Sequence, residues 1–447
     1  MKNKHEIDMT QGKISTCVIA FAIPLLLGSL FQQFYNMVDT WVVGNFVGNL
    51  AFSAVGSVGP VINMIIGLFT GFSTGASVII SQRYGASDYD GVSRAVHTSM
   101  IATLILSIIF TLFGVGLTPF FVSLMNTPSD VVPESISYLS IYFSGVSGLL
   151  FYNMGAAILR AVGDSQRPFY YLVVAAFLNV VLDLVFVLNF NMGVDGVAYS
   201  TIISQFISTA LVIIELFKTD SVVKLRWNQF KLDKDLLKKI IRIGTPSGLQ
   251  MAVTGFSNIF VQGYVNHFGA DCMSGWTAYS KIDQLLWLPM QSVALRATTF
   301  VGQNLGNNDA KRASEGVKVS LYLSLAVTIF FAIPLVIYAP ESVSFFNNKE
   351  EVVAFGTLFM RVMTPLCVVN VFTQVYAGAL RGAGNAKAPT FIMIMSYVVF
   401  RQIYLFVCSK IWDSIIPISF AYPVGWVLCA IVMVYYYRKH SFKEFAK

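Results

Sequence analysis

Twelve apolar runs alternate with polar connections along the chain, each run near the roughly 20 residues a helix needs to cross a bilayer. They lie near 15–44, 52–80, 95–118, 135–159, 169–190 and 195–217, and then near 241–267, 274–301, 316–339, 352–380, 390–411 and 415–437. All connections are short except 218–240, KTDSVVKLRWNQFKLDKDLLKKI, which is polar and basic and falls between the sixth and seventh runs. The pattern predicts an all-α polytopic membrane protein: a six-helix N-terminal lobe over 1–217, a cytoplasmic linker over 218–240 and a six-helix C-terminal lobe over 241–447.

Composition agrees with the pattern. Of the 447 residues 55% are apolar and 12% charged, with a mean hydropathy of +0.67; a soluble chain carries about twice that charged fraction. The first 13 residues are polar, and no small-residue cleavage site follows the first apolar run, so that run reads as a retained span. Basic residues set the orientation, because Lys and Arg stay on the cytoplasmic side. With the N-terminus inside, 24 of the 30 Lys and Arg fall in cytoplasmic segments and two, Lys349 and Lys410, in outer ones. This predicts a multi-pass protein of the plasma (inner) membrane with both termini cytoplasmic. The net charge of +7 is then topological and implies no nucleic-acid partner. Five scattered cysteines without a C-x-x-C, and four histidines without ligand spacing, predict no disulfide and no transition-metal site.

The two halves repeat. AAILRAVGDSQRP from Ala156 matches AGALRGAGNAKAP from Ala377 at a shift of 221, and Gln82 and Gly85 recur at that shift as Gln303 and Gly306. Pro24 and Asn36 recur as Pro246 and Asn258 at a shift of 222. Six spans is an even number, so both halves insert the same way up. The expected relation is a pseudo-two-fold axis along the membrane normal, with a cleft between lobes. The L-R-x-x-G-x-x-x-x-P turn itself reads as structural: Gly ends a helix and Pro opens the next.

Polar residues inside the spans carry the candidate chemistry, since a carboxylate deep in an apolar run is costly. Span 1 holds Gln32, Asn36 and Asp39 on one face, span 5 holds Asn179 and Asp183 four apart, and span 6 holds Thr201, Gln205 and Ser208; Asn153 lies in span 4. Counted at about 1.5 Å per residue, Asp39, Asp183 and Thr201 fall in the outer half of the bilayer, with Asn153 deeper. Two carboxylates with amide and hydroxyl oxygens suit a hard monovalent cation or a shared proton, because two nearby carboxylates in an apolar pocket cannot both stay cheaply ionised. For Asn153, Thr201 and the glutamines, independent interhelical hydrogen bonds are an alternative reading. The C-terminal half keeps a polar stripe in Thr254, Asn258 and Gln262, where the N-terminal half has Gln32, Asn36 and Thr40. It has Val261 in place of Asp39, and Phe400 and Tyr404 in place of Asn179 and Asp183. Its charges in the spans are Lys281, Asp283, Arg296, Arg361 and Arg401.

Nearly the whole chain resembles the multidrug and toxic compound extrusion (MATE) family. The resemblance rests on the six-plus-six repeat, on LRAVGDSQRP with LRGAGNAKAP, on TTFVGQNLGNNDAKRA after span 8, and on the acids of spans 1 and 5. It implies two six-helix lobes around a V-shaped central cavity. The implied activity is antiport: an amphipathic, often cationic, small organic substrate leaves in exchange for Na⁺ or H⁺, with no other cofactor. It implies coupling through Asp39, Asn153, Asn179, Asp183 and Thr201, with Na⁺ at Asp39, Asn179 and Asp183 as one form, and a cavity lined by Gln32, Asn36, Gln205, Thr254, Asn258 and Gln262. Spans 7 and 10 lack the acids that another branch of the family carries there. The expected assembly is a monomer in contact with membrane lipid. The alternative is a flippase for a lipid-linked sugar precursor, which would usually carry about fourteen spans and a cluster of cavity arginines. An enzyme is not expected: no nucleophile–base pair, zinc motif or phosphate loop is present.

Overall fold

The structure is a computed structural model that describes residues 6–125, 127–440 and 442. Lys2, Lys4, His5, Lys443 and Lys447 lie outside the described residues, and so does the side chain of Thr40. All twelve spans are helical. They run Ile14–Val47, Ser53–Gly85, Tyr89–Leu124, Val132–Ala161, Gln166–Asn189 and Gly193–Lys218, then Lys234–Asn266, Ala270–Gly306, Ala310–Ile337, Glu350–Gly382, Lys387–Ile411 and Ile415–His440. No strand occurs among the described residues. Spans 7 and 8 are long enough to cross but less apolar than the others. The cause is visible in their sequences: Thr254, Asn258 and Gln262 in span 7, and Lys281, Asp283 and Gln284 in span 8.

Span 4 departs from the continuous run expected from its hydropathy. It breaks into Val132–Ser144 and Val146–Ala161, bent by 46°. The break is at Gly145, which sits against Ile202 of span 6 so closely that any side chain there would collide. Hydropathy sees only that this segment is apolar; the bend falls at the Ser144–Gly145 pair, a usual site for a kink, and only glycine leaves room there for Ile202.

The helices group into two units, residues 19–245 with residues 6–8, and residues 246–447 with Met9–Val18. In the first unit, span 6 packs against span 5 and both parts of span 4. In the second, span 10 packs against spans 8, 9 and 12. The basic connection belongs to the first unit. Arg226 N–H donates to His97 Nε2 at 3.0 Å, Asp233 N–H donates to Thr98 Oγ1 at 3.1 Å, and Arg94 pairs with Asp233 at 3.2 Å. Asp233 also caps span 7, accepting from Leu236 N–H at 3.1 Å and Asp235 N–H at 3.0 Å. Those two donors hold its carboxyl below the usual carboxylate range.

The sequence repeat is a repeat of conformation. Gly163 (φ 93°) and Gly384 (φ 87°) both take the left-handed geometry that ends a helix without steric cost only at glycine. Ser87 (φ 57°) and Asn308 (φ 58°) match in the same way. The aspartates that follow them cap spans 3 and 9: Asp88 accepts from Gly91 N–H at 2.9 Å and Asp309 from Arg312 N–H at 2.8 Å. In the second unit this turn also holds Met9–Val18. Met9 N–H donates to Gln303, Asn304 donates to Met9 O at 3.1 Å, and Arg312 donates to Met9 O at 3.1 Å and Gln11 O at 2.7 Å.

Membrane orientation has a direct test. Asn191, Asn228 and Asn347 are exposed, and the five native cysteines are buried and so poorly reactive. Cysteines introduced at Asn191 and Asn347 are expected to label from outside, and one at Asn228 only after the membrane is opened. Outside labelling at residue 228 would overturn the assigned orientation.

Candidate functional site

Asp39 and Asp183 lie near the ends of two spans that finish alike. Span 1 passes from α-helix into a π-helical turn at Val43–Val47, and span 5 does so at Val185–Asn189. The two π turns pack on each other and on span 6. A π turn widens the helix by one residue and re-aims the side chains beside it. Here it follows each carboxylate by two to four residues.

The carboxylates are within reach of each other's charge, Asp39 at 9% and Asp183 at 0% exposure. Asn179, one turn before Asp183 on the same helix face, is 2% exposed. Ser200 of span 6 links them: its hydroxyl lies between Asp183 Oδ1 and its own helix's Val197 O at 2.8 Å, either of which can take its proton, and Asn179 Nδ2 donates to Ser200 Oγ at 3.4 Å. Tyr138 of span 4 lies close to both carboxylates and stacks on Tyr142, with ring centroids 6.4 Å apart.

Three buried oxygens of this group accept no hydrogen bond among the described residues: Asp39 Oδ1, Asn179 Oδ1 and Asp183 Oδ2. Buried acceptors left unmatched cost on the order of 1–3 kcal/mol each. Three in one cluster, two of them carboxylate, describe a place for a positive charge: a cation with oxygen ligands, or a proton shared between the acids.

The other expected members are placed differently. Thr201 is buried, but its hydroxyl donates along its own helix to Val197 O at 2.9 Å. Asn153 likewise donates to Leu149 O at 2.9 Å, one turn back on its own helix. Gln32 and Asn36 are exposed, Gln32 beside Tyr35, and Gln205 bonds to Tyr142. Sequence alone misses Ser200, because the Thr201–Gln205–Ser208 stripe is the more polar one on span 6. A second stripe, Ser200–Ser204–Ser208, is buried along its whole length and carries the missing signal.

In the second unit, Thr254 has a buried hydroxyl without a partner among the described residues, Gln262 donates to Asn266 at 2.7 Å, and Asn258 accepts from Arg401 at 2.8 Å. Asp283 is held by Trp287 at 2.9 Å, and Arg296 is fully buried with one bond to Ser320 at 2.9 Å. Lys281 and Arg361 are exposed. A cavity of about 470 Å³ opens among the ends of spans 7, 11 and 12, lined by Phe260, Tyr264, Phe268 and Trp412.

The geometry has relatives. The family model described as MatE matches residues 24–185 and 246–407, one copy in each half. The chain is 26% identical over 455 residues to the probable multidrug resistance protein YoeA of Bacillus subtilis, covering 98% of this chain and 97% of that one. It is 21% identical over 445 residues to the multidrug export protein MepA of Staphylococcus aureus, with the same coverages. Among solved structures, an outward-facing multidrug resistance MATE family transporter of the MOP superfamily superposes with a TM-score of 0.92 at 23% identity, over 98% of both chains. A MOP superfamily transporter from Pyrococcus furiosus, described as having a binding pocket of reverse polarity, superposes with a TM-score of 0.94 at 23% identity over the whole of both chains.

Proposed function

We propose, since this chain belongs to the MatE family, that it is an antiporter that exports amphipathic, often cationic, organic compounds across the plasma membrane in exchange for Na⁺ or H⁺. The observation that carries the coupling reading is the set of three unmatched buried oxygens on Asp39, Asn179 and Asp183. Support for the substrate class comes from relatives named for multidrug resistance and export. The polar residues Gln32, Asn36 and Gln205 in the first unit, and Thr254, Asn258 and Gln262 in the second, are the proposed substrate-facing set. Asn153 and Thr201, bonded along their own helices, are proposed to border the coupling site and to contribute less to it than Asp39, Asn179 and Asp183.

In this reading Asp39 and Asp183 take the ion when the site faces the high-ion side, and substrate binds when they release it. Coupling of this kind requires only that ion and substrate favour different conformations. Na⁺ would be held by the carboxylates with Asn179 Oδ1; H⁺ would be shared between the two acids. The test is transport by purified protein in sealed vesicles, first under an imposed Na⁺ gradient at equal pH and then under an imposed pH gradient without Na⁺. Accumulation under one gradient names the ion. No accumulation under either, with substrate still bound, overturns coupled antiport.

Ser200 separates this arrangement from one centred on Thr201. Ser200→Ala removes a donor to a buried carboxylate and is expected to shift the half-saturating ion concentration about tenfold, the weight of a hydrogen bond to a charged group. Thr201→Val removes a bond internal to the helix and should shift it by less than about twofold. The reverse order of effects would place the hydroxyl ligand at Thr201.

A further inference from the structure

The second unit carries a buried guanidinium in span 11, three residues before Tyr404, the repeat counterpart of Asp183. Arg401 lies in span 11 next to Phe400, the repeat counterpart of Asn179. It directly follows a π-helical turn, Met395–Phe400, as Asp39 and Asp183 precede theirs. Its partners occupy repeat positions as well. Asn258 in span 7 is the counterpart of Asn36, and Tyr422 in span 12 is the counterpart of Thr201. The same three places hold Asn36, Val180 and Thr201 in the first unit, none of them charged, so the buried cation is the second unit's own.

Arg401 is 3% exposed. Its Nη2 donates to Ser257 Oγ at 2.9 Å and to Asn258 Oδ1 at 2.8 Å. Its flat face lies 4.4 Å from the centroid of Tyr422, whose hydroxyl donates to the same Asn258 oxygen at 3.2 Å. Its Nε is buried and unmatched, and no carboxylate pairs with Arg401 among the described residues. The nearby acid, Asp283, is directed to Trp287 instead. Guanidinium stays charged in any protein setting and presents its donors in a planar fork suited to a carboxylate. Asn258, which accepts from Arg401, is exposed, and the wall beside the guanidinium is aromatic: Tyr422 and Trp276, with centroids 5.6 Å apart.

We propose that Arg401, Asn258 and Tyr422 form a binding site for the carboxylate of an amphipathic organic acid or zwitterion, with its ring system against Tyr422 and Trp276. The site extends the exporter reading to carboxylate-bearing substrates and rests on that reading only for the transport step after binding. Binding itself needs no ion gradient, so a failure here is distinct from a failure of coupling at Asp183.

Rhodamine B carries a free carboxylate, and its ethyl ester differs only in lacking it. Binding of both dyes to the full-length protein in lipid nanodiscs, read by fluorescence polarisation without any gradient, tests the site. Wild-type protein is expected to bind the acid. Arg401→Gln is expected to weaken the acid about tenfold, the scale of a charged hydrogen bond, and the ester by less than about twofold. Asn258→Asp keeps Arg401 in place but occupies it with a carboxylate, and is expected to give the same selective loss in a protein whose interhelical contact is strengthened. Equal loss of both dyes in the two variants, an unchanged affinity for the acid, or wild-type protein that does not bind the acid would overturn the proposal.

Discussion

Asp183→Asn is expected to fold, to bind substrate, and to lose all uphill export, with Asp39→Asn behaving the same way. Both carboxylates are buried, and each has one oxygen with no donor among the described residues. Replacing either with an amide removes a costly buried charge and keeps the shape, so the folded state should not suffer. What is lost is the means of taking a positive charge. One such charge entering down 100 mV releases about 2.3 kcal/mol. At about 1.4 kcal/mol per tenfold, that sustains roughly a 50-fold gradient of an uncharged substrate. The variants should therefore fall from such a gradient to none, while exchange of labelled for unlabelled substrate persists. The measurement is accumulation in reconstituted vesicles under the gradient that drives wild-type protein. An Asp183→Asn protein that concentrates substrate to the wild-type level would remove this acid from the coupling site.

Arg167→Gln is expected to cost more in stability than any other single change in the first unit's turn. Arg167 is 8% exposed, and its guanidinium pairs with two acids, Asp164 at 2.7 Å and Glu215 of span 6. Asp164 is fully buried and also accepts from Gln166 N–H and Arg167 N–H, each at 3.1 Å. Taking away the shared cation leaves two acids facing each other without it. Breaking a buried ion pair from one side costs on the order of 3–5 kcal/mol, enough to unfold much of a marginally stable protein. The expected result is a folded fraction, read by size-exclusion of detergent-extracted protein, well below wild type. The double variant Arg167→Gln with Glu215→Gln should recover part of it. A single variant as stable as wild type would show that the triad is held by solvent rather than by its own charges.

The twelve spans were legible because each is a long apolar run, and a helix is the form in which such a run satisfies its own backbone in lipid. The repeat was legible because turns that need a left-handed residue keep a narrow choice there, as at Gly163 and Gly384. Asp39, Asn179 and Asp183 stood out because their cost in an apolar run is high. Ser200 did not, since a serine costs little in a span and can always bond back to its own helix, as Ser208 does to Gln205 O and Ser200 itself can to Val197 O, each at 2.8 Å. The bend at Gly145 and the π turns beside the charged residues left no mark that hydropathy can detect.

The sequence by itself therefore determined what depends on composition and period: the membrane class, the number of spans, the duplication, and which residues are too polar to be in a span without reason. The tertiary structure alone decided which of those residues meet. It brought Ser200 to Asp183, left Thr201 and Asn153 bonded along their own helices, and set Arg401 between Ser257, Asn258 and Tyr422. The reason is physical. Burial cost is a property of one residue in its own segment, whereas a hydrogen bond between spans depends on the rotation and approach of two helices. That rotation is set by close packing at positions such as Gly145, which seats span 4 against Ile202, two residues from Ser200.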